Sequence, residues 1–344
     1  MDLALWQGLL LFATTAAVLV VAGVRLAATG DELATRTNLG ALLVGALLVS
    51  AATSLPELVT AAGAVVADTP GLAIGDLLGS SMANMAILAV IDLLAHRRVW
   101  PSIELGHARV ASIAIVLTSL AVLGILTPPG PAIGWIGLDA ILIAGAYVGA
   151  VAWFRRARPG LAAGIADAGP TSEIPTPTGW ASTATERRDL RSVVVRFAFA
   201  AAVVFATAPV VALAGKGIAD TSGLGETFVG VAFLAVATSL PELVASVAAV
   251  RIGAYDLAVG NLFGSNAVNM AMFVLVDAAY VDGPLLAAGG RVDVVAGIAA
   301  ILLMAVALAA VVHGEETRIR RLEPDAIVLL LAYVGGLVGI AAVS

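Results

Sequence analysis

One eight-residue stretch of this chain occurs twice, and no other feature constrains the fold as strongly. Residues 52–59 are Ala-Thr-Ser-Leu-Pro-Glu-Leu-Val, and residues 237–244 repeat them letter for letter, 185 positions later. Each copy places a proline and a glutamate, Glu57 or Glu242, inside an apolar run. Because a charged side chain at membrane depth costs about 2.5–3.5 kcal/mol or more, such a residue marks a functional site by default. Two of them at one offset predict a site built by internal symmetry.

The internal repeat extends well beyond these eight residues. When residues 39–92 are aligned with residues 224–277 without a gap, 24 of 54 positions are identical. Downstream of the first copy, residues 75–84 read GDLLGSSMAN, and residues 260–269 read GNLFGSNAVN. The polar positions of the two segments stay in register. The alignment therefore predicts two structurally equivalent halves, each with one repeat.

The composition predicts an all-α polytopic membrane protein. Hydrophobic residues make up 60% of the chain, charged residues make up 12%, and the mean hydropathy is +1.03. Apolar runs of about 20 residues recur along the whole length, whereas a transmembrane barrel shows alternating segments of about ten. The absence of cysteine excludes disulfides and thiolate chemistry. The lipid bilayer is the expected surrounding, and no nucleic acid, obligate protein partner or cofactor is expected.

Helix breakers and charges divide the chain into ten predicted transmembrane helices. Residues 1–154 are predicted to form a first five-helix half, and residues 192–344 a second. Residues 155–191, rich in proline, threonine, glycine and charge, are predicted to be a linker. The predicted spans, each within about three residues, are 3–28, 38–66, 72–95, 108–127, 132–154, 192–214, 224–250, 254–280, 290–312 and 324–343.

The distribution of basic residues predicts how these spans are oriented. If the amino terminus is outside, 16 of the 18 basic residues lie on inner loops, and only Lys216 and Arg291 lie outside. Cytoplasmic loops carry this excess, so both termini are expected outside a multi-pass plasma-membrane protein, with the linker cytoplasmic. Because each half has an odd number of spans, the second half enters the membrane from the opposite side. The two repeats are therefore predicted to be inverted. Inverted repeats with interrupted helices and a midplane site are typical of secondary transporters.

The repeated segments carry the ligands that hard cations prefer. Pro56 and Pro241 have no N–H, so the carbonyls near Ala52 and Ala237 lose their helical partners. A threonine four residues before each glutamate shares its helix face. Carboxylate, hydroxyl and carbonyl oxygens suit Ca²⁺, Na⁺ or Mg²⁺. Two glutamates with a charge of −2 balance one Ca²⁺ or two Na⁺.

The second pair of segments adds polar residues at spacings of four. The candidate ion-binding residues from both pairs are Glu57, Glu242, Thr53, Thr238, Ser54, Ser239, Ser80, Ser265, Asn84, Asn269 and Asp76. Glycines beside them are expected to permit close helix approach. Asp92 and Asp277, at matching positions, are expected to be solvated charges at helix ends. Glu226 is expected to begin a helix at the outer face.

These two motifs closely resemble those of the sodium/calcium exchanger family, within the calcium:cation antiporter superfamily. The α-repeats of that family carry a TSLPE-type motif followed by a GN…GSN…N/D motif. The resemblance implies a Ca²⁺ site centred on Glu57 and Glu242 with oxygens from both threonines, and it implies alternating access in which the first and sixth spans slide against the core. It also implies Na⁺ sites that use Ser54, Ser239, Ser80, Ser265, Asn84 and Asn269.

Several positions depart from the family pattern. Asp76 and Ser81 stand where the family usually has asparagine. Asn84 and Asn269 stand where some members place an aspartate. Fewer central carboxylates leave the number of exchanged Na⁺ ions open, and Asp76 restores one charge.

The function predicted from these observations is exchange of Ca²⁺ for Na⁺ across the membrane. A proton-coupled Ca²⁺/cation antiporter is the alternative, and a cation channel with the same oxygen ligands is another. An enzyme is not favoured, because there is no cysteine, no intramembrane histidine and no HExxH motif. No Walker motif indicates an ATP-driven pump.

Overall fold

Helices make up nearly all of the structure, a computed structural model that describes residues 5–36, 53–94, 106–127, 129–157, 190–251, 255–313 and 324–344. The helices are α1 (Leu5–Arg36), α2 (Leu55–Val66), α3 (Pro70–Leu94), α4 (Gly106–Leu126), α5 (Leu138–Ala157), α6 (Leu190–Ser222), α7 (Glu226–Thr238), α8 (Leu240–Arg251), α9 (Tyr255–Ala279), α10 (Arg291–His313) and α11 (Pro324–Val343). Two-residue strands β1 (Ala132–Ile133) and β2 (Ile136–Gly137) pair antiparallel, and Leu285–Ala288 is a 3₁₀ turn.

The described helices account for ten apolar segments. Seven of them are individually long and apolar enough to cross a membrane. The consecutive helices α7 and α8 pass the same test together and are bent by 44° at their junction. Helices α2 and α5 are shorter apolar helices, and α2 follows residues outside the described part of the chain. The all-α polytopic class predicted from the sequence is confirmed, whereas most of the predicted linker lies outside the described residues.

Two predicted span boundaries differ from those in the structure, and one helix continues past its span. The apolar span of α1, Leu5–Leu26, agrees with the predicted span 3–28, although the helix itself continues to Arg36. Helix α6 continues to Ser222, about eight residues beyond the predicted end. Charges end an apolar stretch but not a helix, since Asp, Glu, Arg and Lys are all tolerated in helices. Helix α5 begins at Leu138, because the preceding residues form the β1–β2 hairpin around Gly134, whose φ is +68°.

Helices α3 and α9 form the centre of the protein. The most apolar stretches of these two helices are 78% and 61% buried, against 17–44% for the other described single-helix spans. Helix α3 packs against α2, α7, α9, α10 and α11. The long helices α1 and α6 lie along one another at the side of this core. The most buried helices are therefore those that carry the downstream motif of each repeat.

Glycines bring α3 and α7 into backbone contact, as their positions in the motif predicted. A Cβ added at Gly75 would lie 2.6 Å from the carbonyl oxygen of Thr227, and one at Gly79 would lie 2.6 Å from Cα of Val231. On the α7 side of the same contact, a Cβ added at Gly230 would lie 2.6 Å from the carbonyl oxygen of Leu72 in α3. Helix α7 passes through a π-helical turn, Gly230–Leu234, at this crossing. The contact places one repeat directly against the other.

We expect Gly79→Ala to destabilise the protein, because its methyl group must displace the backbone of α7. Overpacking of this kind costs about 1–3 kcal/mol, which lowers the midpoint of thermal unfolding in detergent. Gly149→Ala in α5 is the matched control, since a Cβ there meets no described atom within 4 Å. An unfolding midpoint as high for Gly79→Ala as for the control would contradict the close packing.

A tight turn joins α2 to α3 and fixes how the two helices are aligned along their lengths. Asp68 adopts a φ of +60°, and the backbone N–H and the hydroxyl of Thr69 both donate to the carbonyl of Ala64, at 3.0 and 2.8 Å. Lys216 of α6 donates to the carbonyl of Ala67 at 2.8 Å. The two helices therefore form an antiparallel hairpin with a fixed register.

Candidate functional site

Both copies of the repeated motif place a serine of the same backbone conformation directly before a helix, and the second copy interrupts a helix there. Ser54 has φ −88° and ψ 5°, and Ser239 has φ −86° and ψ 2°. Helices α2 and α8 begin directly after these serines, with proline at the second helical position. Because Pro241 has no N–H, the carbonyl of Ala237 has no i+4 helical partner. The predicted interruption is confirmed in the second half, whereas the residues before Thr53 lie outside the described part of the chain.

The structure buries every candidate ion-binding residue. None of the eleven side chains is more than 1% exposed. They come from the junctions before α2 and α8 and from the middle of α3 and α9. Eleven buried polar and charged side chains in an apolar protein need partners or ligands, because burial without them is costly.

The hydroxyl groups of one repeat contact the other repeat. Oγ of Ser54 lies 3.1 Å from Oγ of Ser265, so these two hydroxyls share a hydrogen bond. In the opposite sense, Ser239 donates to Oε1 of Glu57 at 3.4 Å. The motif serine of each half therefore contacts a candidate ion-binding residue of the other half.

Thr238 connects the second repeat to the first. Its hydroxyl donates to Oδ1 of Asp76 at 3.2 Å and lies 3.5 Å from Oγ of Ser80. The same hydroxyl also lies 3.0 Å from the carbonyl of Leu234, one turn back in α7. Thr238 thus combines the helix back-bond that is common for threonine with a contact to a buried carboxylate.

The two motif glutamates have fewer hydrogen bonds of good geometry than a buried carboxylate normally has. The hydroxyls of Thr53 and Ser265 lie beside the Glu242 carboxylate. Neither Glu242 oxygen accepts a hydrogen bond of good geometry from the described residues, and neither does Oε2 of Glu57. These oxygens point into the protein with their ligand capacity unused.

No described basic side chain compensates this charge. The charged groups that act on Glu57 are the carboxylates of Glu242 and Asp76, and both repel it. Oδ2 of Asp76 likewise has no hydrogen-bond partner among the described residues. Buried carboxylates without a partner are strongly unfavourable unless they bind a proton or a cation. The site therefore suits a cation.

The carboxylates do not form a compact acidic cluster. Within the described residues, no three His, Cys, Asp or Glu side chains converge as a metal-binding group. The oxygens that surround the two glutamates come instead from serine and threonine hydroxyls. Such a mixed set, with few charges, is typical of a site that holds a hard cation reversibly.

Asparagines near the serines of α3 and α9 make further contacts between the two repeats. Nδ2 of Asn84 donates to Oδ1 of Asn266 at 2.8 Å, and Nδ2 of Asn266 lies 3.3 Å from the carbonyl of Ser81. Both side-chain atoms of Asn269 have no hydrogen-bond partner among the described residues. Asn266 was missed as a site residue, although it occupies a polar position in the aligned motif.

The two matching aspartates were predicted wrongly. Asp92 and Asp277 are each 1% exposed, so neither is a solvated charge at a helix end. Asp277 accepts hydrogen bonds from the backbone N–H of Gly137, at 2.8 Å, and of Leu285, at 2.6 Å. Its carboxylate anchors the β1–β2 hairpin and the 3₁₀ turn to α9. Such long-range backbone partners leave no signal in the sequence.

Glu226 begins helix α7, as predicted. It lies beside Gly71 at the start of α3 and within electrostatic range of Lys216. The side chain is only half-buried. Its position at the end of the helix separates it from the buried site.

Comparison with known proteins identifies the family. The model of the family described as "Sodium/calcium exchanger protein" matches residues 7–155 and 192–341. This chain belongs to the sodium/calcium exchanger protein family. The two matched segments of this exchanger-family protein are separated by residues 156–191. Since the family consists of exchangers, the protein is a membrane transporter and not an enzyme.

Individual relatives agree with this assignment. CaxA of Alkalimonas amylolytica, whose name marks it as a candidate antiporter, is 29% identical over 315 residues, which cover 89% of each chain. The sodium-calcium exchanger NCX_Mj superposes with a TM-score of 0.58 at 19% identity, over 96% of this chain and 97% of that one. The H⁺/Ca²⁺ exchanger CAX superposes with a TM-score of 0.67 at 16% identity, over 98% and 85%. At such identities the structural matches establish the fold alone.

Proposed function

We propose that this protein exchanges Ca²⁺ for Na⁺ across the cell membrane by alternating access. One observation carries the proposal: two buried glutamates, supplied by the two repeats at equivalent positions, lie within electrostatic range of one another without any described basic partner. Membership of the sodium/calcium exchanger family supports the same conclusion. A carboxylate pair of this kind is neutralised equally by one divalent or two monovalent cations.

The ligands divide by chemistry between the two ions. Ca²⁺ takes six to eight oxygen ligands and favours carboxylates, so Glu57 and Glu242 are its central ligands, with Thr53 and Thr238 beside them. Na⁺ takes the neutral oxygens around this centre, which come from Ser54, Ser239, Ser80, Ser265, Asn84 and Asn269. Because the glutamates are shared, binding of one ion excludes full occupancy by the other. Competition of this kind couples the two fluxes.

The two long helices are the elements that move. Helices α1 and α6 pack along each other beside the core rather than within it. A Cβ added at Gly23 of α1 would lie 2.8 Å from Cγ of Pro241 and 3.3 Å from Cγ of Pro56. Helix α1 therefore lies against the two motif prolines, at the starts of α2 and α8. Sliding of α1 and α6 past these prolines opens the site first to one side of the membrane and then to the other.

The distribution of arginine supports an orientation for the cycle. We place the α2–α3 turn and both termini outside the cell, and the α8–α9 connection and the central linker inside. With the Na⁺ gradient directed inward, Na⁺ entry then drives Ca²⁺ out of the cell.

The driving ion is tested by uptake of ⁴⁵Ca²⁺ into proteoliposomes. Vesicles loaded with Na⁺ and diluted into Na⁺-free buffer are expected to accumulate Ca²⁺, whereas vesicles loaded at equal ionic strength and low pH without Na⁺ are not. Glu57→Gln serves as the inactive control. Absence of Ca²⁺ flux under any cation gradient would contradict the proposed function.

A proton-coupled antiporter is the second candidate. The unpartnered oxygens of Glu57, Glu242 and Asp76 would also be satisfied by protons. Positions 84 and 269 carry asparagine, so the site lacks a carboxylate where some family members have one. Uptake that follows the pH gradient in Na⁺-free buffer would establish this alternative. Single-channel currents that need no counter-ion would instead indicate a channel.

A further inference from the structure

Asn266 of α9 makes two hydrogen bonds to α3, and together they fix which way its side-chain amide points. Its Nδ2 donates to the carbonyl oxygen of Ser81 at 3.3 Å, and its Oδ1 accepts from Nδ2 of Asn84 at 2.8 Å. A backbone carbonyl has two lone pairs and can only accept, so the NH₂ group of Asn266 must face Ser81. The oxygen of Asn266 therefore faces Asn84. All three residues are fully buried.

The orientation of Asn266 determines that of Asn84. Because the oxygen of Asn266 can only accept, Asn84 must turn its NH₂ group toward it. Oδ1 of Asn84 is then left buried, without a hydrogen-bond partner among the described residues. Asn84 lies at spacings of four from Ser80 and Asp76, so these side chains share one face of α3. That face meets the second repeat, since Thr238 contacts both Asp76 and Ser80.

The equivalent hydrogen bonds are missing on the other repeat. The offset of 185 residues makes Ser81 the counterpart of Asn266, and Asn269 the counterpart of Asn84. The hydroxyl of Ser81 donates to the carbonyl of Leu77 in its own helix, at 3.4 Å. Neither side-chain atom of Asn269 has a hydrogen-bond partner among the described residues. The described contacts therefore orient one of the two matching asparagines and leave the other unoriented.

The free oxygen of Asn84 distinguishes a positioning role from simple helix packing. A buried amide pair that served only to join α3 to α9 would also satisfy its remaining oxygen, because a buried acceptor without a partner costs free energy. Here Asn266 satisfies the NH₂ group of Asn84 and leaves the oxygen. A neutral amide oxygen is a hard ligand that suits Na⁺.

We propose that Asn266 is a positioning residue, which holds the amide of Asn84 with its oxygen free for Na⁺, whereas the amide of Asn269 has to be ordered when an ion binds. The inference rests on the proposed exchange function, which assigns Na⁺ to the neutral oxygens. A ligand group that is held in its binding orientation beforehand loses less conformational freedom on binding. The two repeats therefore contribute unequally to Na⁺ affinity, and the difference between Ser81 and Asn266 is the cause.

Asn266→Ser tests the proposal, because it gives the second repeat the residue that the first repeat already has. The assay measures the Na⁺ concentration that displaces half of the bound ⁴⁵Ca²⁺ from the purified protein. We expect Asn266→Ser to raise this concentration about threefold to tenfold, since Asn84 loses the acceptor that orients it. Ca²⁺ affinity without Na⁺ is expected to change less than about twofold, because the glutamates hold Ca²⁺. A merely structural role would weaken both ions together.

Ser81→Asn is the matched variant with the opposite expected effect, and it keeps the test open if Asn266→Ser folds poorly. It supplies the side-chain amide that Asn269 lacks, so the displacing Na⁺ concentration is expected to fall. The double variant Ser81→Asn with Asn266→Ser moves the orienting amide to the other repeat and is expected to restore Na⁺ affinity to within about twofold of the wild type.

Two outcomes would overturn the positioning role. One is an equal loss of Na⁺ and Ca²⁺ affinity in Asn266→Ser. The other is a Na⁺ affinity that neither Ser81→Asn nor the double variant improves over that of its parent. Wild-type protein whose bound Ca²⁺ ignores Na⁺ would instead overturn the proposed function, so the two failures are distinguishable.

Discussion

Glu57→Gln and Glu242→Gln are each expected to abolish Ca²⁺ transport. Both carboxylates are fully buried, and together they supply the two negative charges that balance one Ca²⁺. Replacing either with an amide leaves a single central charge for a divalent ion. Removal of one partner from a buried charge pair costs about 3–5 kcal/mol, so Ca²⁺ affinity is expected to fall more than about a hundredfold. Equilibrium ⁴⁵Ca²⁺ binding to the purified variants measures the loss directly.

Glu226→Gln is the matched control for these variants. Glu226 also lies in the second repeat, but it begins α7 and is only half-buried. Its substitution is expected to change Ca²⁺ affinity less than about threefold, the effect of a weak surface charge. A Glu57→Gln variant that binds Ca²⁺ as well as Glu226→Gln would show that the motif carboxylates are structural.

Gly23→Leu is expected to lower the rate of exchange at least tenfold, about 1.4 kcal/mol in activation free energy. The first carbon of any side chain at this position lies 2.8 Å from Cγ of Pro241, well inside the contact distance of about 3.5–4.0 Å. The rest of the leucine side chain must then displace α1 from both motif prolines, Pro56 and Pro241. The variant is expected to retain equilibrium Ca²⁺ binding, because Gly23 contacts the prolines and not the glutamates. Initial rates of Na⁺-dependent uptake, measured together with binding, separate these two effects.

Gly8→Leu on the same helix is the control for this substitution. A Cβ there would lie 3.6 Å from a side-chain carbon of Ile218, which is ordinary contact. We expect its transport rate to stay within about twofold of the wild type, as for a substitution without strain. If Gly23→Leu transports as fast as Gly8→Leu, α1 does not move past the motif prolines.

Most of the candidate site could be predicted because it depends on short-range rules. Proline interrupts a helix through its own ring and missing N–H, so the breaks at Ser54 and Ser239 followed from the motif. Residues spaced by four share a helix face, so each threonine was expected near the glutamate of its own motif. The structure instead records Thr53 beside Glu242 and Thr238 beside Asp76, each in the other repeat. The structure confirms the break at Ser239, the matching backbone conformation at Ser54 and the burial of the set. That these residues bind ions stays a prediction.

The features that were missed depend on contacts between distant residues. The backbone partners of Asp277 come from two loops, and nothing local distinguishes such an aspartate from a solvated one. The contact of Gly23 with both motif prolines likewise depends on how α1 crosses the core. Helices α1 and α6 run past their apolar stretches because charge does not end a helix, so hydropathy alone underestimated their lengths. The division into two halves at residues 154 and 192 stays a prediction.

The central claim is that Ca²⁺ and Na⁺ compete for one buried site made by both repeats. Equilibrium binding of ⁴⁵Ca²⁺ to the purified protein, titrated with Na⁺ at constant ionic strength and pH, tests it most directly. We expect Na⁺ to displace Ca²⁺ fully and competitively, and the Glu57→Gln and Glu242→Gln variants to bind no Ca²⁺ that Na⁺ displaces. Ca²⁺ that stays bound at saturating Na⁺, or that binds equally well without both glutamates, would contradict the account.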